Sequence, residues 1–166
     1  MSAATPHHEL ILREDLVPSD RAEIERIVRE SKFFRDDEIP VAIELVDDRL
    51  AKGADSHYKF IVAVRDGKVA GYCCYGLIPV SVHSYDIYWI AVDPALQRSG
   101  IGKKLMAAAE ERIRAMGGRR VYVETSSKSQ YESTRRFYLS CAYVVATVLE
   151  EFYAPGDGKV IFVKVL

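Results

Sequence analysis

The alternation of apolar and polar residues predicts strands and helices in a mixed order along the chain. Runs with a period of two, such as 59–65 and 69–76, predict strands, and Asp66-Gly67 between them predicts a tight hairpin turn. Apolar residues at helical spacing predict four helices between the strands. The second is expected to begin near Pro40, and the third carries an apolar stripe of Ile101, Leu105, Ala109 and Ile113. The turn-rich residues 154–158 are expected to join the last two strands. The resulting order, β-α-α-β-β-β-α-β-α-β-β, predicts an α/β protein of the mixed-sheet α+β kind. We expect one domain over residues 9–166, preceded by a flexible tail of residues 1–8.

A strand, a glycine loop and a helix follow one another in the middle of the chain. The apolar residues 87–92 predict a buried strand, Asp93-Pro94 ends it, and a helix begins in the segment Gln97-Arg98-Ser99-Gly100-Ile101-Gly102. Glycines allow the backbone to turn sharply and approach a ligand, and N–H groups at a helix start attract anions. Lys103 adds positive charge there. The loop therefore predicts a pyrophosphate site, and the strand at 120–124 completes a right-handed parallel crossover around it.

The loop departs from two stricter phosphate motifs and matches a third. A Walker A loop requires Gly at position 97 and Ser or Thr at 104, and the dinucleotide fingerprint requires Gly at 105; this chain has Gln97, Lys104 and Leu105. The pattern Gln/Arg-x-x-Gly-x-Gly/Ala does fit, through Gln97, Gly100 and Gly102. In this motif and in its element order, the chain resembles the GNAT superfamily of acetyl-CoA-dependent N-acetyltransferases over nearly its whole length. The resemblance implies a GNAT-like fold with a central, splayed parallel strand pair, and direct acetyl transfer in a ternary complex.

The resemblance also implies which residues bind acetyl-CoA. The pantetheine arm would lie along the splayed strand, a backbone N–H near Val92 would polarise the thioester carbonyl, and the loop would hold the pyrophosphate. Many relatives carry Asn at the helix position where this chain has Tyr131, so Thr134 and Arg135 are substitutes by position only. The implied cofactor contacts are Ile90, Ala91, Val92, Gln97, Arg98, Ser99, Gly100, Ile101, Gly102, Lys103, Thr134 and Arg135.

Three residues are candidates for the proton transfers of the reaction. The family commonly uses a Tyr in a Phe-Tyr pair to protonate the departing thiolate, and Tyr138 matches it, although a core aromatic would show the same spacing. Asp86 matches the position where some members place a catalytic carboxylate, and Glu124 at the end of the next strand is the alternative base. In a regular strand one face would hold Asp86, Tyr88, Ile90 and Val92.

Two connections are expected to line the acceptor site. The implied substrate contacts are Phe33 and Phe34 between the first two helices, Tyr88, and Tyr153 before the last turn. The favoured acceptor is a primary amine of a small molecule, such as an amino acid or a polyamine-like compound. The alternatives are a peptide or protein acceptor, at its N-terminus or a lysine, and a non-catalytic CoA-binding sensor. His57 and His83 lie in predicted loops and are expected to take no part.

Composition narrows the partners and the location. A net charge of −1 argues against a nucleic-acid partner, and the chain has no apolar run of about 18 residues that would predict a membrane span. Three cysteines without metal-ligand spacing predict no metal site and a reducing, cytoplasmic location. The acidic first 50 residues and the mildly basic remainder suit an anionic cofactor held by the second part. Exposed C-terminal strands could pair in a homodimer.

Overall fold

One seven-stranded sheet runs through residues 9–166, which are the residues that the computed structural model describes; the predicted tail, 1–8, lies outside them. The strands are β1 (Leu10–Arg13), β2 (Lys59–Arg65), β3 (Lys68–Leu77), β4 (Ser84–Val92), β5 (Arg120–Ser126), β6 (Val144–Ala154) and β7 (Asp157–Val165). The helices are α1 (Asp20–Glu30), α2 (Glu38–Lys52), α3 (Ile101–Ala115) and α4 (Glu132–Ser140). The predicted element order and the mixed α/β class are confirmed. The spatial strand order is β1-β2-β3-β4-β5-β7-β6.

The helices cover the sheet on both faces. The predicted stripe of α3 packs on one face, where Leu105, Ala109 and Ile113 are completely buried, and α4 adds Tyr138 to the same core. A second core on the opposite face joins α1 and α2 to the sheet. Among the described residues, no helix combines the length and the apolar character needed to cross a bilayer.

The two predicted hairpin turns differ in outcome. Asp66 and Gly67 have φ of 53° and 74°, as a two-residue turn of type I′ requires, so the first prediction is confirmed. The last turn is shorter than the predicted 154–158, because β6 ends at Ala154 and β7 begins at Asp157. Gly158 belongs to the strand. A Cβ on it would lie 2.9 Å from the carbonyl oxygen of Leu149, so this glycine permits close strand approach rather than a turn.

β4 and β5 form the parallel pair of the sheet, and they pair only at their beginnings. The register joins Ser84 to Arg120 and ends where Asp86 meets Tyr122. Beyond this point the two strands separate, which confirms the predicted splay. A gap therefore opens in the middle of the sheet over residues 87–92 of β4.

A β-bulge in β4 changes which side chains share a face. The pairing with β3 skips Tyr88, so the alternation of side chains shifts by one residue at this point. Asp86 and Tyr88 lie on the side of α1 and α2, whereas Ile90 and Val92 pack on the side of α3. The prediction that these four residues share one face is therefore wrong.

Candidate active site

A cavity of about 850 Å³ occupies the gap between β4 and β5. Six consecutive residues of β4, 87–92, line it, as do residues 124–126 of β5. Because neighbouring residues of a strand point to opposite faces, such continuous lining means that the cavity touches the strand edges and reaches both sides of the sheet. It can therefore receive two reactants from opposite sides.

The start of α3 lines one side of the cavity and has the geometry that suits an anion. Arg98 and Gly100 have φ of 62° and 81°, in the left-handed region, which brings successive N–H groups of the loop together. No side chain caps the helix at Gly100, so the first N–H groups of α3 remain available to a ligand. Residues 100–103 line the cavity. The helix dipole adds to the attraction of a phosphate at this position.

The two motif glycines have different roles. A Cβ on Gly100 would meet nothing within 4 Å, so glycine is favoured there by its left-handed backbone. A Cβ on Gly102 would lie 3.0 Å from the ring of Phe137. Gly102 therefore lets α3 and α4 approach each other where both line the cavity.

Most of the predicted cofactor residues lie together. The cavity is lined by Ile90, Ala91, Val92, Gln97, Arg98, Gly100, Ile101, Gly102, Lys103 and Thr134. The structure does not bring the side chains of Ser99 and Arg135 to it. The Ser99 hydroxyl donates a hydrogen bond to the carbonyl oxygen of Leu96, and Arg135 Nη1 donates to the carbonyl oxygens of Ser126 at 2.7 Å and Lys128 at 2.9 Å. Arg135 therefore holds the β5–α4 connection in place.

Tyr138 reaches the cavity from α4. It is only 6% exposed, and its ring lies 5.6 Å from those of Phe137 and Phe162 and 6.2 Å from that of Tyr143. Burial raises the pKa of the Tyr138 phenol above its ordinary value. The hydroxyl is consequently protonated at neutral pH and able to donate a proton.

The opposite side of the cavity is aromatic. Phe33 and Phe34 line it from the α1–α2 connection, and the ring of Phe34 lies 4.9 Å from that of Trp89. Tyr153 lines it from the β6–β7 hairpin. Burial and nearby carboxylates, among them Glu38 of α2, raise the pKa of Tyr153 to about 12. The hairpin and the start of α2 therefore approach each other over this side.

The two predicted bases occupy different positions. Glu124 lines the cavity, is 54% exposed, and pairs through Oε1 with Lys159 Nζ at 3.2 Å. Lys159 Nζ also lies 3.9 Å from the ring centroid of Phe152. Asp86 is not among the residues that line the cavity, and burial, together with the charge of Glu124, raises its pKa to about 6. Of the two carboxylates, the structure brings only Glu124 to the cavity.

Sequence reasoning missed several residues of the site. Trp89 was missed because the bulge, which no local pattern signalled, turns it toward the acceptor side. Glu38 was missed because the helix was predicted to begin near Pro40, whereas α2 begins two residues earlier. Glu38 Oε2 accepts a hydrogen bond from the Arg35 N–H at 2.7 Å just before the helix, a contact that no capping motif in the sequence signalled.

Comparison with known families assigns the chain. The sequence model of the Acetyltransferase (GNAT) family matches residues 21–143. The chain belongs to the GNAT family of acetyltransferases. Members of this family use acetyl-CoA as the acetyl donor.

Solved structures agree with the family assignment. A protein from Desulfovibrio desulfuricans, described as an acetyltransferase of the GNAT family, is 40% identical over 95% of this chain and 99% of its own, with a TM-score of 0.92. An aminoglycoside 6′-N-acetyltransferase complexed with coenzyme A is 16% identical over 93% of this chain and 96% of its own, with a TM-score of 0.74. The ribosomal-protein-S18-alanine N-acetyltransferase from Escherichia coli is 18% identical over 95% and 94%, with a TM-score of 0.74. The last two show the fold alone. Comparison with curated proteins yields no significant match.

Proposed function

We propose that this acetyltransferase moves an acetyl group from acetyl-CoA to the primary amine of a small molecule, directly and within a ternary complex. One observation carries the proposal. One cavity reaches both sides of the sheet between β4 and β5, with an uncapped helix start on one side and an aromatic wall on the other. Donor and acceptor can then approach one reaction point from opposite faces, which removes the need for an acyl-enzyme.

The donor side fits acetyl-CoA by its chemistry. The edge of β4 beyond Asp86 has no β5 partner among the described residues, so the amide groups of the pantetheine arm would add to it like a strand. The pyrophosphate would take the N–H groups between Arg98 and Lys103. A backbone N–H near Val92 would then polarise the thioester carbonyl.

Tyr138 supplies the acid of the proposed reaction. The amine nitrogen bonds to the carbonyl carbon, the C–S bond breaks, and the departing thiolate takes the phenolic proton of Tyr138. The nitrogen must lose a proton to a base in the same reaction. Glu124 and Asp86 stay in the proposal as the two carboxylates near the acceptor, and Glu124 is better placed because it lines the cavity.

The cysteines support direct transfer. Burial raises the pKa of the Cys73, Cys74 and Cys141 thiols, so none of them is a ready thiolate nucleophile. All three are unpaired, as the proposed cytoplasmic location would keep them.

The aromatic acceptor side favours a small amine over a peptide. Phe33, Phe34 and Tyr153 narrow it from two different connections, whereas a peptide needs an open groove. Glu38, Glu124 and Arg35 also line this region, and Lys159 pairs with Glu124, so its charge is mixed. Mixed charge can admit a zwitterionic amino acid as well as a polyamine-like compound.

Thiol release tests the proposed function. Acetyl-CoA is offered with a panel of small primary amines and, separately, with peptides that carry a free N-terminus or a lysine. We expect turnover with at least one small amine and a kcat/KM for peptides at least about tenfold lower, equivalent to about 1.4 kcal/mol in the transition state. A preference for peptides would support the protein-acetylating alternative. Calorimetric binding of acetyl-CoA without turnover on any amine would support a sensor module.

We also propose that β6 pairs with a second copy of the chain. β6 pairs with β7 along one edge, and all eleven of its residues are exposed, including Val148 at 41% and Phe152 at 52%. A long apolar edge of this kind favours strand pairing. Light scattering should show a dimer that Val148→Lys converts to a monomer, and a monomeric wild-type protein would remove this part of the proposal.

A further inference from the structure

A hydrogen bond connects the acceptor side of the cavity to the protein surface. Tyr88 lines the cavity from the bulge in β4, and its hydroxyl lies 2.8 Å from Nε2 of His57. His57 is exposed, in the connection between α2 and β2. The path from the cavity to solvent is therefore two side chains long.

The local sequence makes room for this pair. The bulge sets Tyr88 out of register with β3, and Gly76 of β3 lies directly beneath both rings. A Cβ on Gly76 would lie 3.0 Å from Tyr88 Cε2 and 3.1 Å from His57 Nε2. The ring of Tyr58 packs edge-on against both, with centroids at 5.3 Å from His57 and 5.4 Å from Tyr88. Glycine at this position is what allows the hydroxyl and the imidazole to meet.

The proposed reaction needs a route for the amine proton that the carboxylates do not readily supply. An alkylamine with a pKa of about 10.4 is mostly protonated at pH 7 and cannot attack the thioester. Glu124 is engaged by Lys159 at 3.2 Å, and Asp86 does not line the cavity. Imidazole, by contrast, takes up and releases protons near neutral pH.

We propose that Tyr88 and His57 carry the proton of the acceptor amine to solvent, an inference that rests on the proposed function. The ammonium gives an N–H proton to the Tyr88 oxygen while Tyr88 gives its own O–H proton to Nε2 of His57. His57 then releases a proton to water, and the freed nitrogen lone pair attacks the thioester carbonyl. The step requires the His57 tautomer that carries its proton on Nδ1. Tyr88 touches the acceptor, whereas His57 acts through Tyr88 as a positioning and relay residue.

Carboxylates lie on both sides of the pair. On the surface side, Asp48 of α2 pairs with Lys52 and lies near His57. On the cavity side, burial and then the charge of Asp86 raise the pKa of Tyr88 to about 12. The phenol is thus neutral at rest, so it can pass a proton on without accumulating as phenolate.

His57→Gln tests the relay, because an amide can still bond to the Tyr88 hydroxyl but cannot take up the proton. We expect kcat/KM for the acceptor at pH 7 to fall about a hundredfold, the value typical of losing a general base. The rise of wild-type kcat/KM between pH 5 and 8 should be absent in this variant. The affinity for acetyl-CoA, measured by calorimetry, should stay unchanged. The matched control is His83→Gln, since His83 is exposed and bonds through Nδ1 to the carbonyl oxygen of Gly117, away from the cavity. This control should behave as wild type.

Tyr88→Phe and the double variant complete the test. If the two side chains form one relay, the double variant should lose no more activity than the worse single variant. A wild-type profile in His57→Gln, alongside normal turnover by the unchanged protein, overturns the relay and leaves the proposed function standing. Absence of turnover by the wild-type protein with every amine overturns both.

Discussion

The hydroxyl of Tyr138 is the group whose removal tests the proposed chemistry most directly. In Tyr138→Phe the ring remains packed against Phe137, Tyr143 and Phe162, at centroid distances of 5.6 to 6.2 Å, so the core keeps its shape. Only the proton donor is lost. A positioned general acid contributes about 10²–10⁴ in rate, which corresponds to roughly 3–5 kcal/mol of activation free energy. We therefore expect kcat to fall at least about a hundredfold while acetyl-CoA affinity is retained.

Steady-state thiol release and calorimetric titration separate these two quantities. Because burial raises the pKa of Tyr138, this group should cause no loss of wild-type activity as the pH rises through neutrality. The control is Tyr143→Phe, which removes a hydroxyl from the same aromatic cluster at a residue that is not among those lining the cavity, and it should leave kcat unchanged. Wild-type kcat in Tyr138→Phe would refute the assignment and leave water or another side chain as the acid.

Three further predictions follow from single side chains. Gly100→Trp should abolish acetyl-CoA binding, because the indole would fill the open space in front of the loop and a residue other than glycine strains the left-handed backbone there. Circular dichroism should show the fold retained, since a Cβ at this position meets nothing within 4 Å; undiminished binding would move the cofactor elsewhere. Asp86→Asn should raise the free energy of unfolding at pH 7. The pKa of the Asp86 carboxyl is about 6 in the folded protein, above its ordinary 3.8, so the folded state loses stability as the pH rises from 3.8 to about 6. An asparagine carries no such cost because it does not ionise. Urea titrations at two pH values should show this gain vanish below pH 4, roughly the ordinary aspartate pKa, and an equal gain at both would contradict it. Arg26→Ala removes the 2.7 Å bond from α1 to Asp93 at the start of the cofactor loop, so acetyl-CoA should bind more weakly at unchanged kcat; an unchanged affinity would show that the loop is held without this bond.

Local sequence patterns were enough to predict several elements correctly. The stripe of α3 and the Asp66-Gly67 turn depend on neighbours a few residues apart, and both were placed correctly. The same holds for the loop of Gln97, Gly100 and Gly102, most of which lines the cavity. Turn residues were less informative at the last hairpin. Gly158 was assigned to the turn, but it lies in β7, where a side chain would collide with the backbone of Leu149 in β6.

The failures share one cause. A bulge at Tyr88 depends on how β4 pairs with a strand more than ten residues away, and no period-two pattern reveals it. The bulge brought Trp89 to the side of α1 and α2. Asp86 lies outside the cavity lining because it is still paired with Tyr122 of β5, another contact between distant segments. His57 was set aside because its loop has no motif, and only the folded sheet brings it to the Tyr88 hydroxyl.

Periodicity, turn residues and one glycine motif in the sequence were enough to determine the order of elements and the family. These features are local, because each depends on residues only a few positions apart in the chain. The separation of β4 from β5, the reach of the cavity through the sheet and the positions of Asp86, Glu124 and the His57–Tyr88 pair relative to the cavity were decided only by the tertiary structure. They depend on contacts between distant segments, where one shifted register moves every following side chain to the other face.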